Sequence, residues 1–296
     1  MSKISVVIAC VNGLPSIGEC LRALEEERSG FDVEIVVVNC CKDGTAKFIK
    51  DRYPHVTLID MAERRGIPEL RAIGMAHATG DVIVIIEDHV IVLKNWFAEI
   101  LKAHQLGYEA VGGAVENGSV DRLVDWAVFL CEYSHTMLPI PHGEVKDITG
   151  NNVSYKRELL EKIDESIKRN YWEFFLHEEM RRIGAKFLSV PSIVVSHKKE
   201  FGFFYFILQR YHYSRSFAGM RRERVPWPKR GLYLFCSPLL VVLLIWRIAQ
   251  QVIRKRRYYK EFALSLPVLG IFMISYAVGE FVGYLLGSGQ SLLKVE

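Results

Sequence analysis

Val82-Ile83-Val84-Ile85-Ile86-Glu87-Asp88-His89 is the stretch on which the reading of this chain turns. Five apolar residues in a row, with no polar alternation, predict a strand covered on both faces, the habit of a parallel sheet wrapped by helices. The run breaks off at three polar, ligand-type residues. Open α/β sheets bind their ligands beyond the carboxyl ends of the strands, so this end is where chemistry is expected.

Upstream, the same pattern repeats. Ile4 to Ala9 reads as a buried strand, followed by a turn at Asn12, Gly13 and Pro15 and by Ile17, Leu21 and Leu24 at helical spacing. Val33 to Val38 is a second strand. Asp43-Gly44-Thr45 then starts a helix through Phe48 and Ile49, and Val56 to Ile59 is a third strand. A helix from about Pro68 to His77 leads through Gly80-Asp81 into the opening stretch. This βαβαβ rhythm predicts an α/β fold with a Rossmann-like, mostly parallel sheet flanked by helices. Downstream, Val111 to Ala114 reads as a strand and Gly150-Asn151-Asn152 as a loop before a helix over Arg157 to Ile163. Tyr171 to Ile183 is helical up to Gly184, and Val190 to Val195 closes this part at His197.

With 296 residues, half of them hydrophobic, the chain can bury one globular core and still carry an appendage. The formal charge of +4 is uneven, because basic residues crowd the stretch from Arg210 to Lys260. That stretch runs into continuous apolar sequence, which points to anionic lipid headgroups and away from nucleic acid. The six cysteines have no metal-site spacing and read as reduced core residues of a cytosolic domain. Met1 to Val11 reads as the first strand, too short an apolar run for a signal peptide.

From Gly231 the character changes. Leu232 to Trp246 is short of the ~20 residues that span a bilayer as a helix, whereas Phe262 to Leu286 is long enough. Pro238 and Pro267 interrupt the two segments, and Arg254-Lys255-Arg256-Arg257 between them prefers the cytoplasmic side. The expected organisation is a catalytic domain over 1–200 and an interfacial basic and aromatic linker over 201–231. Membrane-associated helices follow over 232–287 (232–253, re-entrant or tilted, and 262–287, spanning), with a tail over 288–296.

Taken together, these landmarks resemble the family 2 glycosyltransferases of GT-A fold, from Ser5 to about Arg215. Ser5 to Asn12 looks like that family's first strand and donor loop. Leu70-Arg71-Ala72-Ile73-Gly74 with Gly80-Asp81 looks like its Ala-Arg-Asn-x-Gly and Gly-Asp landmarks, and Glu87-Asp88-His89 stands where it carries Asp-x-Asp. Thr149 to Ser154 resembles its acceptor-side Gly-Asn segment. Tyr171-Trp172-Glu173 falls where its Glu-Asp pair precedes Arg-x-x-Gly. Three departures stand out: Glu87-x-His89 replaces Asp-x-Asp, Val38-Asn39 replaces an acidic pair, and Val11 replaces an aromatic residue.

The resemblance implies a nucleotide-sugar donor, a divalent metal and a carboxylate base. Donor binding falls to Ala9, Val11, Asn12, Asn39, Arg71, Glu87 and Asp88, and acceptor binding to Gly150, Asn151 and Asn152. The metal falls to Asp88, His89 and His197; an imidazole shifts the balance from Mg2+ toward Mn2+. Glu173 is the expected general base for inverting, single-displacement transfer, with Glu178 and Glu179 as rivals on the same helix. Gln209 to Tyr213 resembles part of the Gln-x-x-Arg-Trp signature of processive synthases but lacks its Arg and Trp. The expected function is transfer of one sugar to a membrane-bound, lipid-linked acceptor, with the enzyme at the cell membrane and its catalytic domain cytoplasmic. The alternatives are glycosylation of polyprenyl phosphate itself and a non-catalytic partner that binds nucleotide sugar.

Overall fold

The computed structural model describes residues 2–296. The chain forms two compact units, one made of the chain up to Glu116 with Thr136–Lys198, the other of Asn117–His135 with Lys199–Glu296.

In the first unit β1 (Ile4–Cys10) is buried at all seven positions. After α1 (Ser16–Glu27) the chain lays β2 (Val33–Asn39) parallel to β1, and after α2 (Thr45–Arg52) it lays β3 (Thr57–Asp60) parallel to β2. Helix α3 (Ile67–His77) then crosses over to β4 (Val82–Glu87), which pairs in parallel with the other edge of β1. Strands β1, β2 and β4 are as the apolar runs predict, because strands buried on both faces need no polar alternation, whereas β3, at the edge, is exposed or half-buried along its length.

Beyond β4 the sheet changes direction. Short β5 (Val90–Val92), α4 (Trp96–Gln105) and β6 (Ala110–Asn117) follow, then β7 (Gly143–Val145) and β8 (Asn152–Lys156). After α5 (Leu123–Tyr133), which belongs to the second unit, helices α6 (Arg157–Glu161), α7 (Glu165–Asn170) and α8 (Glu173–Arg182) lead to β9 (Phe187–His197). The order is β3-β2-β1-β4-β8-β6-β9-β5, with β7 on β9. The β4–β8, β6–β8, β5–β9 and β7–β9 pairs are antiparallel. The sheet is therefore mixed, not mostly parallel.

The decisive difference is β8, whose first residue stood in an expected loop. Its polar residues are buried because each is saturated. Asn152 donates to the Ala114 and Ile193 carbonyls (2.9 and 3.1 Å) and accepts from the Trp96 indole (3.1 Å). Ser154 meets His104 at 2.8 Å. Buried polar groups persist where their hydrogen bonds are all made, and such a strand carries no apolar signature.

His104 makes this core sensitive to pH. Burial lowers its pKa to about 4, against the raising effect of its bond to the Tyr108 carbonyl and helped by the Lys156 charge. The unfolded chain binds this proton near pH 6.5 and the folded one only near 4. Stability is thus full above about pH 6.5 and falls as pH drops toward 4, by up to about 3 kcal/mol. Denaturant unfolding at pH 7.5 and 5 is expected to show this slope in the wild type and a shallower one in His104→Gln.

Helix α3 lies tight on the sheet at Gly74, where an added Cβ would stand 2.3 Å from a Val7 methyl. Gly74→Val is expected to cost about 1–3 kcal/mol by overpacking. An unchanged unfolding midpoint would contradict this close approach.

The second unit is helical: α5 (Leu123–Tyr133), α9 (Phe203–Arg224), α10 (Trp227–Cys236), α11 (Leu240–Lys255) and α12 (Tyr259–Leu286). Glycines set the α9–α12 contact. An added Cβ at Gly279 would meet the Tyr211 carbonyl at 2.4 Å, and one at Gly283 the Arg215 carbonyl at 2.6 Å. The Ser275 hydroxyl donates to the Ile207 carbonyl one turn earlier. Buried Arg210 pairs with Glu132 of α5 and lies over the Phe206 and Tyr213 rings. The stretch expected as an interfacial linker is thus mostly a packed helix. The expected tail also folds back, with the Gln209 amide donating to the Lys294 carbonyl at 3.2 Å and the Tyr205 hydroxyl donating to Glu296.

Two helical stretches are long and apolar enough to cross a membrane, Trp227–Lys255 with mean hydropathy 2.1 and Tyr259–Leu286 with 1.9. The first is longer than expected because a single 3-10 turn at Ser237–Leu239 accommodates Pro238 without ending the helix. The basic turn between them packs on α5: Tyr258 lies 4.8 Å from Trp126 between ring centres, and Lys255 donates to the His135 carbonyl.

Candidate active site

The end of β4 and the end of β9 bring three ligand-type side chains together. Glu87 is the last residue of β4, His89 follows it, and His197 ends β9 opposite Val90. The Nε2 atoms of His89 and His197 are 2.8 Å apart, and Glu87 Oε2 lies 3.4 and 4.0 Å from them. Bonds of ~2.1 Å meeting at roughly 90–110° need ligand atoms about 3.0–3.4 Å apart. The three edges of this triangle bracket that range, so the residues fit a divalent ion.

Asp88 lies behind the triangle. Its carboxylate accepts from His89 Nδ1 at 2.6 Å, with both side chains buried. That bond places the proton of His89 on Nδ1 and turns Nε2 toward His197 and Glu87, the carboxylate–histidine arrangement common behind metals. Of the residues expected at the metal, His89 and His197 meet Glu87 in the triangle, while Asp88 contacts His89 from its other side. Strand β4 ends at Glu87, and the turn at Asp88 and His89 sets the two side chains: His89 meets His197, and Asp88 meets His89 Nδ1.

Arg71 of α3 bridges the triangle to Glu173 at the start of α8. Its guanidinium is 3.5 Å from Glu87 Oε1 and 3.3 Å from Glu173 Oε2. Its Nε–H is buried without a partner. Burial would raise the pKa of Glu87, yet its contact with His89 and the Arg71 guanidinium beside it hold it well below the usual carboxylate range. The Asn151 amide donates to Glu87 Oε2 at 3.4 Å. Gly150 lies directly under Glu173, where an added Cβ would be 2.5 Å from the side chain.

The other expected residues scatter. Ala9 and Val11 are buried at and just past the end of β1, while exposed Asn12 holds a positive φ of 134°. Asn39 is fully buried and donates to Asp60 at 2.8 Å. Asn152, expected to bind acceptor, is instead the sheet tie described above, with its polar atoms already taken.

Sequence reading missed a hydrogen-bonded chain beside the site. The Tyr155 hydroxyl is 2.6 Å from His177 Nε2, and His177 Nδ1 is 2.8 Å from Asp147. Tyr155, Arg71, Gly150 and Glu173 line one cavity of about 20 Å³, room for a single water. No motif marks Tyr155, His177 or Asp147; only the fold brings them together.

Residues 5–164 match the family model described as glycosyl transferase family 2. No curated protein matches the chain. Among solved structures, the chain is similar to the mannosyltransferase PcManGT from Pyrobaculum calidifontis in complex with GDP-Man and Mn2+, at 19% identity and a TM-score of 0.60. That match covers 94% of this chain and 87% of the other. It is also similar to S. aureus TarS 1-349 in complex with UDP-GlcNAc, at 14% identity and a TM-score of 0.52, covering 95% of this chain and 91% of the other. GalNAc-T7 with UDP, GalNAc and Mn2+ matches at 18% identity and a TM-score of 0.51, over 67% of this chain and 44% of its own. At these identities the likeness is one of fold.

Proposed function

The chain belongs to glycosyl transferase family 2, and from that premise we propose a metal-dependent transferase that moves one sugar, with inversion, from a nucleotide-sugar donor to a membrane-held acceptor. One observation carries the reading: Glu87, His89 and His197 converge beside the Arg71–Glu173 pair.

Glu87, His89 and His197 would hold the divalent ion, and two imidazoles with one carboxylate favour Mn2+ over Mg2+. Such an ion, when bound, supplies positive charge to a departing diphosphate. Asp88 keeps His89 turned toward it. Arg71 adds a fixed cation whose free Nε–H is available to a donor oxygen. Glu173 takes the proton of the acceptor hydroxyl as general base, and Gly150 leaves the room this carboxylate needs. Asn151 holds Glu87 from the acceptor side. Ala9, Val11, Asn12 and Asn39 sit around the strand ends where the nucleotide would lie.

The membrane part of the reading rests on the two apolar helices and on the basic residues at their ends, Arg221, Arg222 and Arg224 before them and Arg254 to Arg257 between them. Positive charge of this kind favours anionic lipid headgroups, and the cytoplasmic face for both clusters if the first helix is re-entrant. A lipid-linked acceptor suits an enzyme held there. Two of the solved relatives carry different donors, GDP-Man and UDP-GlcNAc, so the sugar is left to experiment.

The test is detergent-purified protein with Mn2+ or Mg2+, given a panel of nucleotide sugars and lipid acceptor, assayed for nucleoside diphosphate. Metal-dependent release from one donor supports transfer. Nucleotide binding without release from any donor supports the non-catalytic partner instead.

A further inference from the structure

Of the six cysteines, all free, two face each other at the carboxyl edge of the parallel sheet, next to Asp88 and between the strand ends assigned to the nucleotide. Beyond β2 the chain turns back over the end of β1, with the Cys40 N–H donating to the Cys10 carbonyl at 3.0 Å. This turn brings Cys41 Sγ to 3.6 Å from Cys10 Sγ. The backbone N–H groups of Asn12 and Gly13 both donate to Cys41 Sγ, at 3.0 and 3.3 Å. Two successive N–H groups aimed at one atom form an anion-holding nest, and the thiolate is the reactive form of cysteine. The hydrogen bond from Cys10 lowers the Cys41 pKa most, against partial burial, with the Gly13 N–H adding to it. Cys41 is partly exposed, whereas Cys10 is fully buried. Cys20, by contrast, is buried and turned to the Glu87 carbonyl, and burial pushes the Cys131 thiol up to about 12.

We propose that Cys41 and Cys10 form a reversible oxidation site for hydroperoxides, with Cys41 as the attacking thiolate and Cys10 as the resolving thiol. The Cys41 sulfur attacks one peroxide oxygen, an S–O bond forms as the O–O bond breaks, and the released hydroxide takes a proton and leaves as water. Cys10 then attacks the sulfenic sulfur. The S–S bond forms, the S–O bond breaks, and the hydroxide leaves as water with the Cys10 proton. The thiols together lose two electrons, and hydrogen peroxide accepts them in becoming two waters. The sulfurs close from 3.6 Å to about 2.05 Å, which takes Cys41 away from the Asn12 and Gly13 N–H groups. The disulfide therefore reshapes the turn that follows β1. Weakened nucleotide binding is the consequence if that turn holds the donor. This consequence rests on the glycosyl-transfer reading; the cross-link does not.

The experiment treats the full chain in detergent with hydrogen peroxide, blocks remaining thiols and maps peptides by mass. A Cys10–Cys41 peptide two hydrogens lighter, reversed by dithiothreitol, is the expected result. Cys10→Ser is expected to stop at a sulfenic acid on Cys41 that dimedone traps, so a folding defect in one variant does not decide the matter. Peroxide treatment that leaves both cysteines alkylatable, or that joins Cys41 to Cys40, overturns the proposal. Binding of UDP and GDP with Mn2+ is expected to weaken by about tenfold on oxidation. A reduced chain that binds neither nucleotide counts against the transferase reading and leaves the mapped cross-link standing.

Discussion

Glu173→Gln is expected to lower turnover by about 10²- to 10⁴-fold, the usual contribution of a general base, while nucleotide and metal binding stay close to wild type. Glutamine keeps the size of the side chain and an oxygen for Arg71, 3.3 Å away, so what is lost is the ability to take a proton. Gly150 makes the test sharper. Because an added Cβ there would stand 2.5 Å from the Glu173 side chain, Gly150→Ala displaces the carboxylate without changing its chemistry, and should lower turnover in the same direction. Glu178→Gln and Glu179→Gln serve as comparisons on the same helix. A Glu173→Gln enzyme that keeps more than about a tenth of the wild-type rate would remove the residue from the role of base.

The second large effect is expected at the imidazole pair. His89→Ala removes one corner of the triangle and exposes His197 Nε2, 2.8 Å away, to an empty position. Asp88→Asn leaves the corner in place but loses the carboxylate that holds Nδ1–H. Loss of such an orienting partner typically costs 10–100-fold in metal affinity, so Asp88→Asn should fall in that range and His89→Ala beyond it. Titration of Mn2+ followed by the resonance of the free ion reads both variants without relying on activity. Unchanged Mn2+ affinity in His89→Ala would sink the proposed ligand set, and in Asp88→Asn it would remove that carboxylate from its orienting role.

How far these residues could be read in advance follows from what each signal measures. The parallel strands were plain because burial on both faces leaves continuous apolar runs, as in Val82 to Ile86. Strand β8 was not, because Asn152 and Ser154 are buried through hydrogen bonds to residues far away in sequence. Glu87, His89 and His197 were singled out from sequence. Which of Glu87 and Asp88 faces His197 depends on the turn that follows β4, and no local pattern in the sequence sets its course. Tyr155, His177 and Asp147 carried no local pattern at all. The second unit was half legible: hydropathy marked its long helices, but nothing in the run from Leu123 to Tyr133 shows that it belongs with helices encoded some 70 residues later.

That discontinuity imposes an order on biosynthesis. Every strand of the first unit has been made once His197 leaves the ribosome, whereas α5, already extruded, must wait for α12, whose last residue is Leu286. At roughly 5–20 residues per second, the gap is on the order of ten seconds. During it, Arg210 and Tyr258, the partners of Glu132 and Trp126, do not yet exist or are not yet in place. The sheet can close early, but the nascent helical unit has to be assembled from two stretches of chain made well apart in time.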